Sequence, residues 1–264
     1  MREVTVTLPK ESLIKRIRAK GDVIVAGSVT GDGIILSTEG HILKSVKVGN
    51  LVTTVSIGKK YLFGTKDLIV IVNGKIEYHK FKGVPLNSYE DFLVAFYEGG
   101  GRSRIVNLRD FYAFEVNDVI KSVATLNELS ILGGKKGVHL YEKSERLQTV
   151  PIEEVVGIAT ANGNVYVLAR DPFFVNVSYL HKFEITENGS LRHLKKIDLS
   201  GLAYDLSTNG NLLTASTNQG TYVLNKELRR IHTFEKSLSS AITENAIYLT
   251  DGRSLKCHVL ENLK

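Results

Sequence analysis

Histidine is the residue of this 264-residue chain whose chemistry is the most versatile, since it can bind a metal or act as an acid or base. Each histidine is the only one of its predicted strand, so no pair with the spacing of metal ligands is visible. The seven are His41, His79, His139, His181, His193, His232 and His258. The sequence therefore predicts no metal site and no cofactor.

Catalytic signatures are missing from the rest of the chain. It contains no Gly-x-Ser-x-Gly, no His-Glu-x-x-His and no phosphate-binding P-loop. Asp205 falls in a strand that we expect to lie at the centre of the fold, and we interpret it as a buried carboxylate held by hydrogen bonds. Cys257 is the single cysteine, so no intramolecular disulfide can form, and we interpret it as a small packed residue. We expect a protein that is not an enzyme.

Two glycine clusters stand beside basic residues. Gly99–Gly101 precedes Arg102 and Arg104, and Gly133–Gly134 precedes Lys135 and Lys136. Backbone amides combined with cations can bind a phosphate group. Both clusters, however, lie where a hairpin between two strands is expected, and glycine supplies the positive φ that such turns need. We favour the turn.

The elements that must position these residues repeat along the chain. Short apolar runs that end in small or turn-forming residues recur seven times, at intervals of 32 to 46 residues. The central residues of these runs are Val25, Leu62, Val94, Ile131, Val167, Leu213 and Ile247. A spacing of about 38 residues is typical of the four-stranded blade of a β-propeller. Alternating strands and Asn-Gly turns such as Asn162–Gly163 follow the runs, as antiparallel hairpins require.

The strand before each run is rich in small and β-branched residues, which suits the crowded centre of a propeller. We therefore predict an all-β fold: a single seven-bladed β-propeller spanning residues 1–264, with four-stranded antiparallel blades. The amino-terminal segment Glu3–Leu8 is expected to pair as the outer strand of the last blade, which closes the ring.

Two units fit this pattern poorly. The first inner strand would contain Lys15, Arg16 and Arg18, and the segment Leu13–Ala19 also reads as a short amphipathic helix. The third unit has Pro85 where an inner strand belongs. Six blades with an irregular insertion is the alternative architecture.

Segments such as Ser28–Leu36 and Ser216–Leu224 resemble the middle of a WD40-type blade. The resemblance extends over essentially the whole chain, although the Trp-Asp and Gly-His pairs of that family are missing. It implies a non-catalytic platform for partners.

Charge indicates where partners would bind. The net charge is +6, and basic residues recur in the loops expected on one face of the propeller. Two adjacent phenylalanines in one of these loops cannot both point inward if the loop is extended. We therefore expect one of them to be an interface anchor. The alternative is that both side chains fold back onto the blade edge. The predicted partner-binding residues are Arg102, Arg104, Lys135, Lys136, Arg170, Phe173, Phe174 and Arg253.

Three functions follow in order of preference. The first is a scaffold that mediates protein–protein interaction, within a larger complex. The second is a propeller that binds nucleic acid, or another acidic partner surface, through its basic loops. The third is a hydrolase with a site in the central channel. The chain has no apolar run of membrane-spanning length, so we expect no membrane partner and a cytoplasmic location.

Overall fold

The computed structural model describes residues 3–6, 13–110, 112–152 and 154–260, and all the regular elements in these ranges are β-strands. They form seven four-stranded antiparallel sheets, the blades. Blades one to three contain β2 (Ile14–Lys20), β3 (Val23–Ser28), β4 (Asp32–Ser37) and β5 (Ile42–Lys47); β6 (Thr54–Ile57), β7 (Tyr61–Thr65), β8 (Leu68–Asn73) and β9 (Lys75–Lys80); and β10 (Val84–Tyr89), β11 (Leu93–Gly99), β12 (Arg102–Asn107) and β13 (Tyr112–Val116).

Blades four to seven continue the pattern to the end of the described chain. They contain β14 (Ile120–Leu126), β15 (Leu129–Gly134), β16 (Val138–Glu142) and β17 (Glu145–Val150); β18 (Val155–Ala161), β19 (Asn164–Arg170), β20 (Val177–Ile185) and β21 (Leu191–Ser200); β22 (Ala203–Thr208), β23 (Leu212–Thr217), β24 (Thr221–Asn225) and β25 (Arg230–Phe234); and β26 (Ser239–Ile242), β27 (Ala246–Thr250), β28 (Leu255–Val259) and β1 (Glu3–Val6).

The blades are arranged in a ring. Each inner strand packs against the inner strand of the next blade, and the inner strand of blade seven packs against that of blade one. The amino-terminal strand completes blade seven, where Glu3 is paired with His258 and Val6 with Leu255. The predicted β-propeller with seven blades and this closure is confirmed, and the alternative with six blades is wrong. Thr7 and Leu8 of the predicted closing strand lie outside the described residues.

The hydrophobic core is divided among the junctions between blades. Seven clusters of buried apolar residues are present in the described chain, one at each junction. The junction between blades one and seven, which includes Ile14, Ile17 and Tyr248, is packed like the others. Each large apolar side chain buried there contributes about 1.5–3 kcal/mol to the stability of the fold. The junction between blades one and seven therefore stabilises the ring as the other junctions do.

The inner strands contain a recurrent β-bulge near their first residues, found in blades one, three, four, five and six. In blade one the bulge leaves Lys15 unpaired, between Ile14 and Arg16. In blade three it follows Pro85, whose missing N–H a bulge accommodates. Both segments that fitted the repeat poorly are therefore inner strands, and the helix considered for Leu13–Ala19 is wrong.

Polar side chains of the inner strands connect neighbouring blades. Each accepts a hydrogen bond from a backbone N–H of the next inner strand, which satisfies a donor that would otherwise be buried without a partner. Three such contacts join Asn87 to Val123 (3.3 Å), Ser122 to Ile158 (2.8 Å) and Ser239 to Ile17 (3.2 Å). The last of them crosses the closing junction of the ring.

Candidate functional site

The loops that join blades open on the same side of the ring as the loops between the second and third strands of each blade, because successive strands run antiparallel. We call this side the interblade-loop face. Lys135, Lys136 and Arg253 lie in its loops, and Arg170 is the last residue of a strand at this face. Arg102 and Arg104 belong to strand β12 and not to a loop, which corrects the expectation for these two residues.

One loop of this face exposes three consecutive apolar residues between β19 and β20. The exposed fractions of Phe173, Phe174 and Val175 are 86%, 66% and 75%. The alternative in which both phenylalanine rings fold back onto the blade edge is therefore wrong. We call these three residues the apolar loop.

Asp171 holds the apolar loop in one conformation. Its Oδ1 accepts hydrogen bonds from the backbone N–H groups of Phe173 (2.7 Å) and Phe174 (2.9 Å), and its Oδ2 accepts one from the hydroxyl of Tyr179. The hydrogen bond from Tyr179 and those from the loop backbone lower the pKa of Asp171, so the carboxylate stays charged. The base of the loop is closed by Asp171 N–H donating to the Val177 carbonyl at 3.0 Å. These hydrogen bonds hold the loop backbone and leave its three apolar side chains exposed.

The exposed apolar side chains of the described chain are unevenly distributed. Some of them belong to the outermost strands of the blades. All the others lie on the interblade-loop face, and the opposite face has none among the described residues. The set on the interblade-loop face is Leu13, Val29, Phe173, Phe174, Val175 and Leu238, whereas Ile42, Leu43, Ile76, Tyr78, Leu147, Leu194 and Ile231 lie on outermost strands.

The basic residues predicted for partner binding are dispersed over blades three, four, five and seven, and several have partners within the protein. Arg104 contacts Glu98 (3.2 Å) and donates to the Lys82 carbonyl (3.1 Å). Arg102 lies 3.9 Å from Glu115. Each contact reduces the positive field available to an outside ligand.

Arg170 lies just before the apolar loop in the chain, and its side chain contacts the next blade. Its Nε donates to the carbonyl of Ala203 at 2.8 Å, and its guanidinium lies 6.0 Å from the ring centre of Tyr204. Arg170 therefore positions the loop against blade six.

The loop that follows Gly133–Gly134 binds a carboxylate of the protein itself. Asp118 accepts hydrogen bonds from the backbone N–H groups of Lys135 (3.1 Å) and Lys136 (2.9 Å), and it contacts His139 Nε2 at 2.9 Å. A Cβ at Gly134 would lie 2.2 Å from the Asp118 carboxylate, so glycine is needed for this approach. The amides that a phosphate would use are thus occupied. Gly133 and Gly134 are the last two residues of strand β15 and neither has a positive φ, so the interpretation of this cluster as a turn is wrong.

The Gly99–Gly101 cluster, by contrast, forms the predicted turn. All three glycines have φ between +60° and +99°, which other residues adopt with strain.

Asp205 lies at the central channel and is 3% exposed, as predicted for a buried carboxylate. It forms a bidentate ion pair with Arg18, at 2.8 and 2.9 Å, and accepts a hydrogen bond from Ser239. Burial by itself would raise the pKa of Asp205, but Arg18 and Arg16 lower it overall. These contacts of Asp205 connect the inner strands of blades one, six and seven.

A cavity of about 390 Å³ continues the channel towards the opposite face. Its lining is mostly small and polar, with serine, threonine and asparagine side chains from the inner strands. The polar lining includes Arg18, Ser56, Asn87, Ser88, Ser122, Thr160, Ser207 and Thr208.

One histidine pair was missed by the sequence analysis. His181 on β20 and His193 on β21 lie side by side, with Nδ1 and Nε2 3.3 Å apart. They belong to different strands of one blade, so sequence distance within a strand could not reveal them. In the described ranges, no three His, Cys, Asp or Glu side chains form a group that could hold a metal ion.

His181 predicts a pH dependence of stability. Burial, together with His193 and Lys196, lowers its pKa to about 4, whereas an unfolded histidine titrates near about 6.5. The unfolded state therefore binds more protons between these values, and stability present above about pH 6.5 is lost as the pH falls towards 4. His181→Phe should reduce the fall in melting temperature between pH 7 and pH 4.5, measured by circular dichroism.

The exposed loop residue His41 provides the control for this measurement. His41→Gln should show the same fall in melting temperature as the unmodified protein. An unchanged pH response in His181→Phe would contradict the assignment.

Comparisons with known proteins agree with the fold and leave the site unassigned. No protein-family model and no curated protein matches the sequence. The chain is similar to the solved structure of BamB from Moraxella catarrhalis, with a TM-score of 0.62 and 13% identity over 98% of this chain and 89% of that one. At this identity the likeness shows the fold alone. The described part of the chain contains no helix long and apolar enough to span a membrane.

Proposed function

We propose that this protein is a non-catalytic scaffold that binds a protein partner through its interblade-loop face, with the apolar loop as the anchor. The observation that supports this proposal is the exposure of Phe173, Phe174 and Val175 on a loop fixed by Asp171. Aromatic side chains dominate the binding energy of protein interfaces. A loop whose backbone is already held by hydrogen bonds loses less conformational entropy when it binds a partner.

The partner that fits this surface has an apolar pocket with an acidic rim. Lys135 and Lys136 lie in the corresponding loop of the adjacent blade, and Lys135 is exposed. Charge complementarity of this kind accelerates association and fixes the orientation of the complex. The resemblance to WD40-type blades accords with such a platform, and a cytoplasmic location with no enzymatic activity is part of the same proposal.

Protein is preferred to nucleic acid as the partner because of the contacts of the basic residues. Arg102 and Arg104 are close to glutamates of their own blade, and Lys136 donates to the carbonyl of Asn117 at 2.7 Å. A nucleic-acid site needs cations free to displace counterions from phosphates. Binding to RNA or DNA that weakens steeply with salt would favour the alternative.

The double variant Phe173→Ser/Phe174→Ser tests the proposal. Loss of two aromatic anchors should weaken capture of the partner by at least about 10-fold to 100-fold. The melting temperature should change by no more than about 2 °C, because both rings are exposed. The measurement is affinity capture with nuclease treatment, identification by mass spectrometry, and titration of the purified partner.

A matched control is available on the outermost strand of blade one. Ile42→Ser/Leu43→Ser also replaces two adjacent exposed apolar residues, on β5, and should leave partner affinity unchanged. Equal affinity of the unmodified protein and of the Phe173→Ser/Phe174→Ser variant would overturn the assigned surface.

A further inference from the structure

Two arginines of the first inner strand face the central channel. Ile14 and Ile17 on the same strand are fully buried in the core between blades one and seven. Arg16 and Arg18 occupy the other side of the strand, where Arg18 lines the central cavity and reaches Asp205 on blade six. Because side chains two residues apart in a strand lie on the same side, Arg16 projects towards the channel as well.

Only one of these arginines is neutralised by a partner. Asp205 uses both carboxylate oxygens for Arg18, and one of them also accepts from Ser239. Arg16 senses the charges of Asp205 and Arg18, but it makes no hydrogen bond or ion pair with the residues that the structure describes. Burial and Arg18 lower the pKa of Arg16, while Asp205 raises it. Arg16 is therefore a guanidinium at the channel that has no ion-pair partner among the described residues.

An unpaired charge in such a place is unfavourable by itself. Arg16 is half-buried, and partial removal of a guanidinium from water without a counterion destabilises the folded state, to which the adjacent Arg18 adds repulsion. Residues that lower stability in this way are characteristic of sites that gain a ligand. The neighbouring Lys15 is exposed at the bulge, at the start of β2 on the interblade-loop face.

We propose that Arg16, with Lys15, binds a carboxylate or phosphate group that enters the channel from the interblade-loop face. The planar guanidinium matches both groups through paired hydrogen bonds, and the ammonium of Lys15 adds charge at the mouth. The site itself does not depend on the proposed function. Only the case in which a docked protein supplies the anionic group rests on that function.

Inorganic phosphate is the probe for the test. Melting temperatures are measured in sodium phosphate and in sodium chloride of matched ionic strength, for the unmodified protein and for Arg16→Gln. Phosphate also stabilises proteins by exclusion from their surface, an effect that both proteins share. We expect phosphate to raise the melting temperature of the unmodified protein by about 2–5 °C more than that of Arg16→Gln.

Three further measurements make the result specific. In chloride, Arg16→Gln should melt at the same or a higher temperature than the unmodified protein, because a repulsive charge is removed. Arg16→Lys should keep a smaller phosphate response. Arg230→Gln, which alters an exposed arginine on the outermost strand of blade six, should keep the full response. Equal phosphate responses in the unmodified protein and Arg16→Gln would overturn the proposal, as would a strongly destabilised Arg16→Gln combined with no phosphate response in the unmodified protein.

Partner capture distinguishes the two sources of the anion. If a docked protein supplies it, Arg16→Gln weakens capture, and phosphate competes with the partner. If the ligand is a free anion, Arg16→Gln abolishes the phosphate response while capture is unchanged. In either case Phe173→Ser/Phe174→Ser should retain the phosphate response, so failure of the apolar loop and failure of the anion site give separate results.

Discussion

Replacing Asp205 by alanine is expected to lower the free energy of unfolding by about 3–5 kcal/mol. The substitution leaves Arg18 and Arg16 together in the channel with no counterion among the described residues. It also removes the acceptor that holds the Ser239 hydroxyl on blade seven. Urea unfolding followed by circular dichroism measures this loss.

The double variant Asp205→Ala/Arg18→Met separates the contribution of the charge from that of packing. If the uncompensated guanidinium causes the loss, removing it should restore at least half of the lost stability, because a broken buried pair is worse than no pair. A double variant that is no more stable than Asp205→Ala would show that the loss arises from packing. A loss below about 1 kcal/mol in the single variant would contradict the importance of this ion pair.

Replacing Asp118 by alanine should lower the free energy of unfolding by about 3–4 kcal/mol. This carboxylate is 1% exposed and is the acceptor for three backbone N–H groups, those of Val119, Lys135 and Lys136, beside its contact with His139. Without it these three part-buried donors lose their acceptor. Chemical unfolding measures the stability, and hydrogen exchange at Lys135 and Lys136 should become faster.

Two further variants define the effect of Asp118. Asp118→Asn keeps one acceptor oxygen but turns an amide nitrogen towards other donors, so its stability should fall between those of the alanine variant and the unmodified protein. Asp22→Ala, at an exposed turn, should change the free energy by less than about 0.5 kcal/mol. Equal stabilities of Asp118→Ala and Asp22→Ala would contradict the assigned network.

The ambiguity of the first inner strand has a physical cause. A strand without a bulge places buried residues two apart, whereas the bulge at Lys15 places Ile14 and Ile17 three apart on the same side. A spacing of three is also the spacing of an amphipathic helix. The local pattern therefore could not decide between the two structures, and packing against blade seven did.

The sequence by itself determined the propeller, its Asn-Gly turns and the closing amino-terminal strand, and it favoured seven blades over six, because periodicity, turn chemistry and strand alternation are local properties of the chain. It also indicated the exposed phenylalanines, since two adjacent side chains in an extended loop point in different directions. Only the tertiary structure decided which charges are paired. Arg18 and Asp205 are 187 positions apart in the chain, and His181 and His193 meet through the register of two strands. Closure of the ring brings Arg18 and Asp205 together, and so only the tertiary structure reveals that Asp205 neutralises Arg18 and leaves Arg16 without an ion-pair partner among the described residues.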